Sequence, residues 1–163
     1  MRQIFVSINI TAPLYWWKEY DTYKVGTVAN STSSMHKIHS KPFELDDFSH
    51  DHLMDDDLEF LEKIWIPRLE FNRVKFNETK DKRYWYNIIQ LLGTNYNQMR
   101  TCTLSYENLI NIYHARNRHK LDEWRVNFCD VWIKSLPYGE QFIVNAKEYN
   151  KGEYIMPSIK YEE

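Results

Sequence analysis

The sequence predicts a mixed α/β (α+β) fold, a single domain in which a small mixed or antiparallel sheet packs with several helices. Three observations carry that expectation. The length of 163 residues is that of one domain, enough to bury ~70% of the surface an unfolded chain of this size exposes. Near the N-terminus Ile4, Val6, Ile8 and Ile10 alternate with Phe5, Ser7 and Asn9, the period of a strand with one apolar face. Further on, apolar residues recur every three to four positions, as on amphipathic helices.

After the first strand, Thr11 offers a cap and Pro13 a favoured first helical residue. Leu14, Trp17 and Tyr20 or Asp21 then follow at helical spacing, predicting a short helix to about Tyr23. Gly26 and the cluster from Asn30 to Ser34 read as an extended or turning segment that exposes backbone and hydroxyls. Residues 43–57 are acidic and loop-like, with Asp55, Asp56 and Asp57 placed to complement a helix N-terminus. Leu58, Leu61 and Trp65 continue with helical spacing. Pro67 is expected to kink or end that helix, because it lacks an N–H and its ring clashes with the preceding turn. A second helix is expected over 79–92, stopped by Gly93. A short strand over 100–104 leads to Ser105, a cap for a helix on which Leu109, Tyr113 and Arg116 share one face. Leu121, Trp124, Phe128 and Val131 or Trp132 mark a further amphipathic helix ending near Pro137. The domain spans 1–163, with a polar C-terminal tail from about 148 that frays or packs on a neighbour.

With 21 basic and 23 acidic residues the net charge is −2, so no overall field favours nucleic acid or an anionic membrane, and neither is expected as a partner. No apolar run approaches the ~18 residues of a membrane span. Met1-Arg2-Gln3 leads into a strand-like segment instead of a signal-peptide core, which predicts a soluble cytoplasmic protein. Cys102 and Cys129 lack CxxC spacing and fit a reduced compartment, with a single disulfide left open. Twelve Tyr and six Trp against four Gly predict a chain that packs large flat side chains. Surfaces rich in such residues meet partners or planar ligands.

Several residues are candidates for chemistry. Arg116 sits on the apolar stripe of its helix, where burying a charge costs several kcal/mol without an anion. Either it pairs with Glu107, Asp122 or Glu123 or snorkels to water, or its fork of donors reaches a carbonyl or phosphate of a bound nucleotide. Tyr23 and Lys24, with Thr27, Asn30, Ser31, Thr32, Ser33 and Ser34, combine hydroxyls, amides and one cation that suit phosphate oxygens. The same composition also describes an ordinary loop, and there is no Walker loop or GxGxxG. His36, His39, His50, Asp51 and His52 with Asp46, Asp47 and Asp55 to Asp57 lack the spacing of a metal site, and no metal is expected. An acidic helix entrance explains them. His114, His119, Asp122 and Glu123 crowd a helix junction where a general base could sit, although His114 and His119 are five apart and share no face.

Two stretches together resemble the flavin-dependent thymidylate synthases. In that family a strand of F-x-F-x-I type leads through a helix into the signature R-H-R-x-x-S, followed shortly by a serine and an arginine. Here Phe5-Val-Ser-Ile8 leads through Trp16-Trp17-Lys18-Glu19 to Thr22-Tyr23-Lys24-Val25-Gly26-Thr27. Thr22, Tyr23 and Lys24 take the R-H-R positions, Thr27 the serine, Thr32 the later serine and Ser34 the arginine. The family's leucine-proline and its helix of form N-x-R-x-L-x-N-F-x-x-x-R are similar to Leu91-Leu92 and the run from Ser105 to Arg116, where Leu109, Asn111 and Arg116 match. An arginine that precedes the leucine-proline has no counterpart near Ile88. The resemblance covers about the first forty residues and the region 91–124.

The resemblance implies a flavin-dependent thymidylate synthase-like fold assembled as a homotetramer, with FAD and the nucleotide dUMP bound at subunit interfaces. The activity implied is reductive methylation of dUMP, using a folate carbon donor and nicotinamide-derived reducing equivalents. Residue by residue it implies that Arg116 contacts and polarises the pyrimidine and that Asn111 faces the flavin. Tyr23, Lys24 and Thr27 fall on the cofactor side, and Thr32 and Ser34 on the substrate side. Thr22, Tyr23 and Ser34 are neutral where the family carries Arg, His and Arg. Each lost charge-assisted contact is worth ~1.5–3 kcal/mol, so the expectation is a divergent nucleotide- or flavin-binding oligomer in which catalysis is in question. The alternative is a non-catalytic interaction protein of phage or mobile-element type that binds a host protein or a signalling nucleotide. The Tyr/Trp content and the acidic segment 46–57 motivate it.

Overall fold

A computed structural model describes residues 1–23, 27–31 and 34–146, with residues 34 and 35 described by backbone alone. Lys24, Gly26, Thr32, Ser33 and the tail from 147 lie outside the described residues. In chain order the elements are β1 (Phe5–Pro13), α1 (Leu14–Tyr20), β2 (Val28–Ser31), α2 (Ser34–Lys37), a 3-10 turn (Leu45–Asp47) and α3 (Asp55–Phe60). A π turn (Leu61–Trp65), α4 (Ile66–Thr79), α5 (Lys82–Leu91), β3 (Asn97–Ser105) and α6 (Tyr106–Arg116) follow, then π-helical segments Glu123–Ile133 and Glu140–Val144. The expected α+β class is observed: one three-stranded sheet in the order β1-β3-β2, with several helices. The chain divides into two compact units, residues 7–103 and residues 1–6 with 104 onward.

In the first of these units β2 runs antiparallel to β3, with Val28 opposite Thr103 and Ser31 opposite Arg100. Across β1 and β3 the Thr101 hydroxyl donates to Asn9 Oδ1 at 2.7 Å and that of Thr103 to Ser7 Oγ at 3.4 Å, the residue pairing of antiparallel strands. β1 continues through Thr11, which lies exposed on the strand instead of capping α1, and Pro13 takes the capping position. α1 then buries Trp16, Trp17 and Tyr20. The Trp17 indole N–H is shared between the carbonyls of Ala12 (3.0 Å) and Gln98 (2.9 Å), which ties α1 to both β1 and β3. α1 ends at Tyr20, short of the expected Tyr23, where the chain turns with Tyr23 N–H on the Tyr20 carbonyl.

Pro67 neither ends nor begins a separate helix. The run from Asp55 to Thr79 passes through it, and the turn just before it, Leu61–Trp65, is π-helical. A proline ring clashes with the carbonyl four residues back and supplies no N–H; the i→i+5 turn that precedes it, closed by the Ile66 N–H on the Leu61 carbonyl, is wider than an α turn. The next helix starts later than expected, at Lys82. Lys80 adopts a left-handed conformation (φ 57°) that ends α4, and Asp81 caps α5 by accepting from the Arg83 N–H at 3.0 Å. Ile38, Phe43, Phe48, Leu61, Ile66, Leu69, Ile88 and Tyr96 form the core beneath these helices.

In the other unit Ser105 caps α6 as expected. Its Oγ accepts from the Asn108 N–H at 3.3 Å, and Asn108 Oδ1 accepts from the Ser105 N–H at 3.1 Å. Leu109, Ile112 and Tyr113 are buried. The helix expected after Leu121 is π-helical, and it buries Trp124, Phe128, Cys129 and Ile133 while Val131 is 62% exposed. Residues five apart align on such a helix, which moves the buried row from Val131 or Trp132 to Ile133. Among the described residues no helix is long and apolar enough to cross a membrane.

Both cysteines are free thiols and buried. Burial, reinforced by the negative charge of Asp130, pushes the Cys129 thiol up to about 12 despite the nearby positive charges of Arg116 and Lys134. An unfolded thiol titrates near ~8.5. Between those values the unfolded chain loses a proton that the folded chain keeps, so stability falls as pH rises, by up to ~1.4 kcal/mol per pH unit from this group. Burial also raises Cys102 and Tyr20, with the same sign. Thermal melts should therefore show a midpoint that declines steadily above pH ~8.5, with a shallower decline in Cys129→Ala; a flat profile would contradict this.

Candidate functional site

Helix α6 carries the two site candidates of its unit. Its N-terminus is fixed by the capping box at Ser105, and its buried row of Leu109, Ile112 and Tyr113 sets which residues point elsewhere. Arg116 and Asn111 are five residues apart, ~140° around the helix, and meet different surroundings.

Arg116 is the last residue of α6, at the end where the helix dipole favours a cation. It is half-buried, with its guanidinium carbon 5.3 Å from the ring centroid of Trp124, within the range of a cation–π contact. Trp124 is fully buried, and Phe128 and His119 meet it edge-on at 5.3 and 6.5 Å. Two of the acids considered as partners for Arg116 engage other arginines: Glu107 accepts from Arg2, and Asp122 from Arg125. Next to Arg116 the chain turns around a cavity of about 620 Å³ lined by His114, Ala115, Asn117, Arg118, His119, Lys120 and Leu121. His119 Nδ1 accepts from the Leu121 N–H at 3.2 Å, which fixes the ring in the turn.

Asn111 is exposed on the other side of α6 and lines a cavity of about 730 Å³. Met1, Arg2, Glu107, Ile110, Gln141, Phe142 and Ala146 complete the wall. Arg2 Nε lies 2.6 Å from Glu107 Oε2 and holds that carboxyl below the usual range. Two amides, an ion pair and apolar walls in a space of this size are the ingredients of a small-molecule site. Arg116 is not among its lining residues. Nothing local in the sequence announces Arg2, Gln141 and Phe142: the ion pair to Glu107 joins residues 105 apart.

Tyr23 and Thr27 belong to the other unit. Both are half-buried, and the Thr27 hydroxyl donates to the Tyr23 carbonyl. Ser34 opens α2, and Lys24 and Thr32 lie outside the described residues. The intervening β2 is exposed along its whole length. The same unit holds a cavity of about 570 Å³, lined by Thr11, Lys37, Ser40, Lys41, Asp47, Tyr96 and Met99 among others. There the Asp47 carboxylate bonds Lys41 and raises its ammonium above the ordinary value. Among the acids of this unit, Asp47 accepts from the Glu44 N–H through Oδ2 at 3.1 Å as well as from Lys41, and Asp55, Asp56 and Asp57 occupy the first turn of α3. Among the described residues no group of three or more His, Cys, Asp or Glu is arranged to hold a metal ion.

No protein-family model matches the chain, and no curated protein matches it by sequence. Among solved structures it is similar to thymidylate synthase X (ThyX) from Helicobacter pylori, crystallised with FAD and dUMP. The TM-score is 0.58 at 17% identity, over 85% of this chain and 70% of that one. A second crystal structure of the flavin-dependent ThyX of Helicobacter pylori, complexed with FAD and dUMP, gives 0.58 at 16% identity over the same shares. The likeness is one of fold.

Proposed function

We propose that the chain is a divergent relative of the flavin-dependent thymidylate synthases that binds a nucleotide or flavin where copies of it assemble. One observation carries the reading: a chain with the ThyX fold presents Leu109, Asn111 and Arg116 at the family's spacing on a single capped helix. In this reading Arg116, seated on Trp124, reads a pyrimidine carbonyl or a phosphate through its planar fork of donors. Asn111 faces the flavin. Its cavity fits that group in kind, since Ile110 and Phe142 offer apolar contact to a flat ring and the amides of Asn111 and Gln141 offer donors and acceptors to its polar edge. The resemblance assigns Tyr23, Lys24 and Thr27 to the cofactor and Thr32 and Ser34 to the substrate, roles this reading keeps for them.

Bound FAD would supply the redox chemistry of a dUMP methylation; the chain's own residues bind and orient. The neutral Thr22, Tyr23 and Ser34 lower the affinity for a dianionic phosphate and a pyrophosphate, so ligand binding is expected to be weaker than in the family and catalysis is in question. The test is a flavin absorbance spectrum of the purified protein, before and after added FAD, followed by titration with dUMP. A flavin spectrum perturbed by dUMP is expected. In Arg116→Ala the dUMP affinity should fall roughly 10- to 100-fold, as loss of a charge-assisted bond implies, while flavin stays bound. Colourless protein that takes up no FAD and ignores dUMP would sink the reading.

A further inference from the structure

The helical run from Asp55 to Thr79 buries Leu61, Ile66, Leu69 and Asn72 and leaves a second apolar row outward. Phe60 is 48% exposed, Ile64 59%, Phe71 45% and Val74 37%. With exposed Pro67 between them they are spread along the run on both sides of the π turn. The solvent face of an amphipathic helix is ordinarily polar, and a contiguous exposed apolar patch marks an interaction surface.

The charges along this run say what covers it. Residues 55–63 hold five acids (Asp55, Asp56, Asp57, Glu59, Glu62) and one base (Lys63). Residues 68–80 hold four bases (Arg68, Arg73, Lys75, Lys80) and two acids (Glu70, Glu78). Two copies laid parallel would set acid against acid and base against base. Laid antiparallel, each acidic half meets a basic half, twice over. About a two-fold axis at Pro67, Phe60 falls opposite Val74 and Glu59 opposite Lys75, each pair occurring twice as a closed dimer requires, with Ile64 and Phe71 one residue out of that register. Within the chain Glu59 and Lys75 form exposed pairs, to Lys63 at 2.7 Å and Glu78 at 2.9 Å, which water screens and which exchange readily for partners across an interface.

We infer that this row is a self-association surface, pairing with a second copy of the chain antiparallel about Pro67. The inference rests on the assembly named in the reading above and needs none of its ligands. Light scattering on the eluting protein should give an even-numbered assembly whose mass is halved by Ile64→Asp combined with Phe71→Asp. Thermal melting should remain cooperative, because both side chains are exposed. Arg68→Cys, beside the axis, should form an intermolecular disulfide. Glu59→Cys should not do so alone but should on mixing with Lys75→Cys, the native Cys102 and Cys129 being buried. A wild-type monomer ends both the surface and the assembly it serves. An assembly whose mass the double substitution leaves intact ends the surface alone. Self-linking of Glu59→Cys overturns the antiparallel arrangement, and if the aspartate variant fails to fold, these exposed cysteines decide the matter.

Discussion

Replacing Trp17 by alanine is expected to abolish the cooperative thermal transition of the chain. Trp17 is 1% exposed and packs edge-on against Trp16 and Tyr20, with ring centroids 4.9 and 5.2 Å away. Removing such a side chain costs ~3–5 kcal/mol for transfer and cavity. Its one indole proton also serves the carbonyls of Ala12 and Gln98, which lose that donor in a buried setting. Each orphaned acceptor adds ~1–3 kcal/mol. Arg100, whose guanidinium carbon lies 4.4 Å from the centre of the Trp17 ring while its Nη1 reaches Asp21 at 2.8 Å, loses the floor beneath its charge. The sum rivals the ~5–15 kcal/mol that holds a domain together. Trp17→Phe keeps most of the ring and gives up the donor, so it should fold with a lowered midpoint. Circular dichroism melts order the three proteins; an alanine variant melting within a few degrees of wild type would contradict the argument.

Trp124→Ala should do comparable damage in the other unit and add a functional signature. Trp124 is fully buried, with Phe128 and His119 on its edges and Arg116 over its ring. The cavity term is again ~3–5 kcal/mol, and the guanidinium loses an aromatic seat worth ~0.5–2 kcal/mol. Trp124→Phe retains an aromatic face. It should fold and keep most of the dUMP response, whereas alanine, if it folds at low temperature, should lose that response as Arg116→Ala does. Melting together with the dUMP titration distinguishes packing from placement: normal dUMP affinity in folded Trp124→Ala would show that the ring does not position the arginine.

What could be read from the sequence was what local interactions determine. The alternation from Ile4 to Ile10, the cap at Ser105 and the acidic entrance to α3 each depend on residues within a few positions. Partners supplied from far along the chain stayed hidden. β1 runs on to Pro13 and β3 back to Asn97 because each is bonded to a distant strand. β2 has four exposed residues and no apolar periodicity, and its pairing with β3 makes it a strand. The helix pattern itself misled at Pro67 and after Trp124, where 3.6-residue spacing was assumed and the backbone takes π turns. At the candidate site the arginine was visible and its indole seat was not: Trp124 lies eight residues on, past a turn that brings it back under the guanidinium. The wall of the Asn111 cavity draws on Arg2 and Gln141, from opposite ends of the sequence.

The π turn at Leu61–Trp65 has a further consequence for anyone aligning this chain. A π turn spends one residue more than an α turn on the same circuit, and here the buried row steps from Leu61 to Ile66 before resuming at Leu69 and Asn72. The segments before and after it therefore face the same core in two different sequence phases. A relative with an unbroken α-helix at this place would correspond residue for residue only if one position were skipped between 61 and 65. Without that single gap, the core positions on one side of Pro67 would be matched one residue out of step with those of the relative.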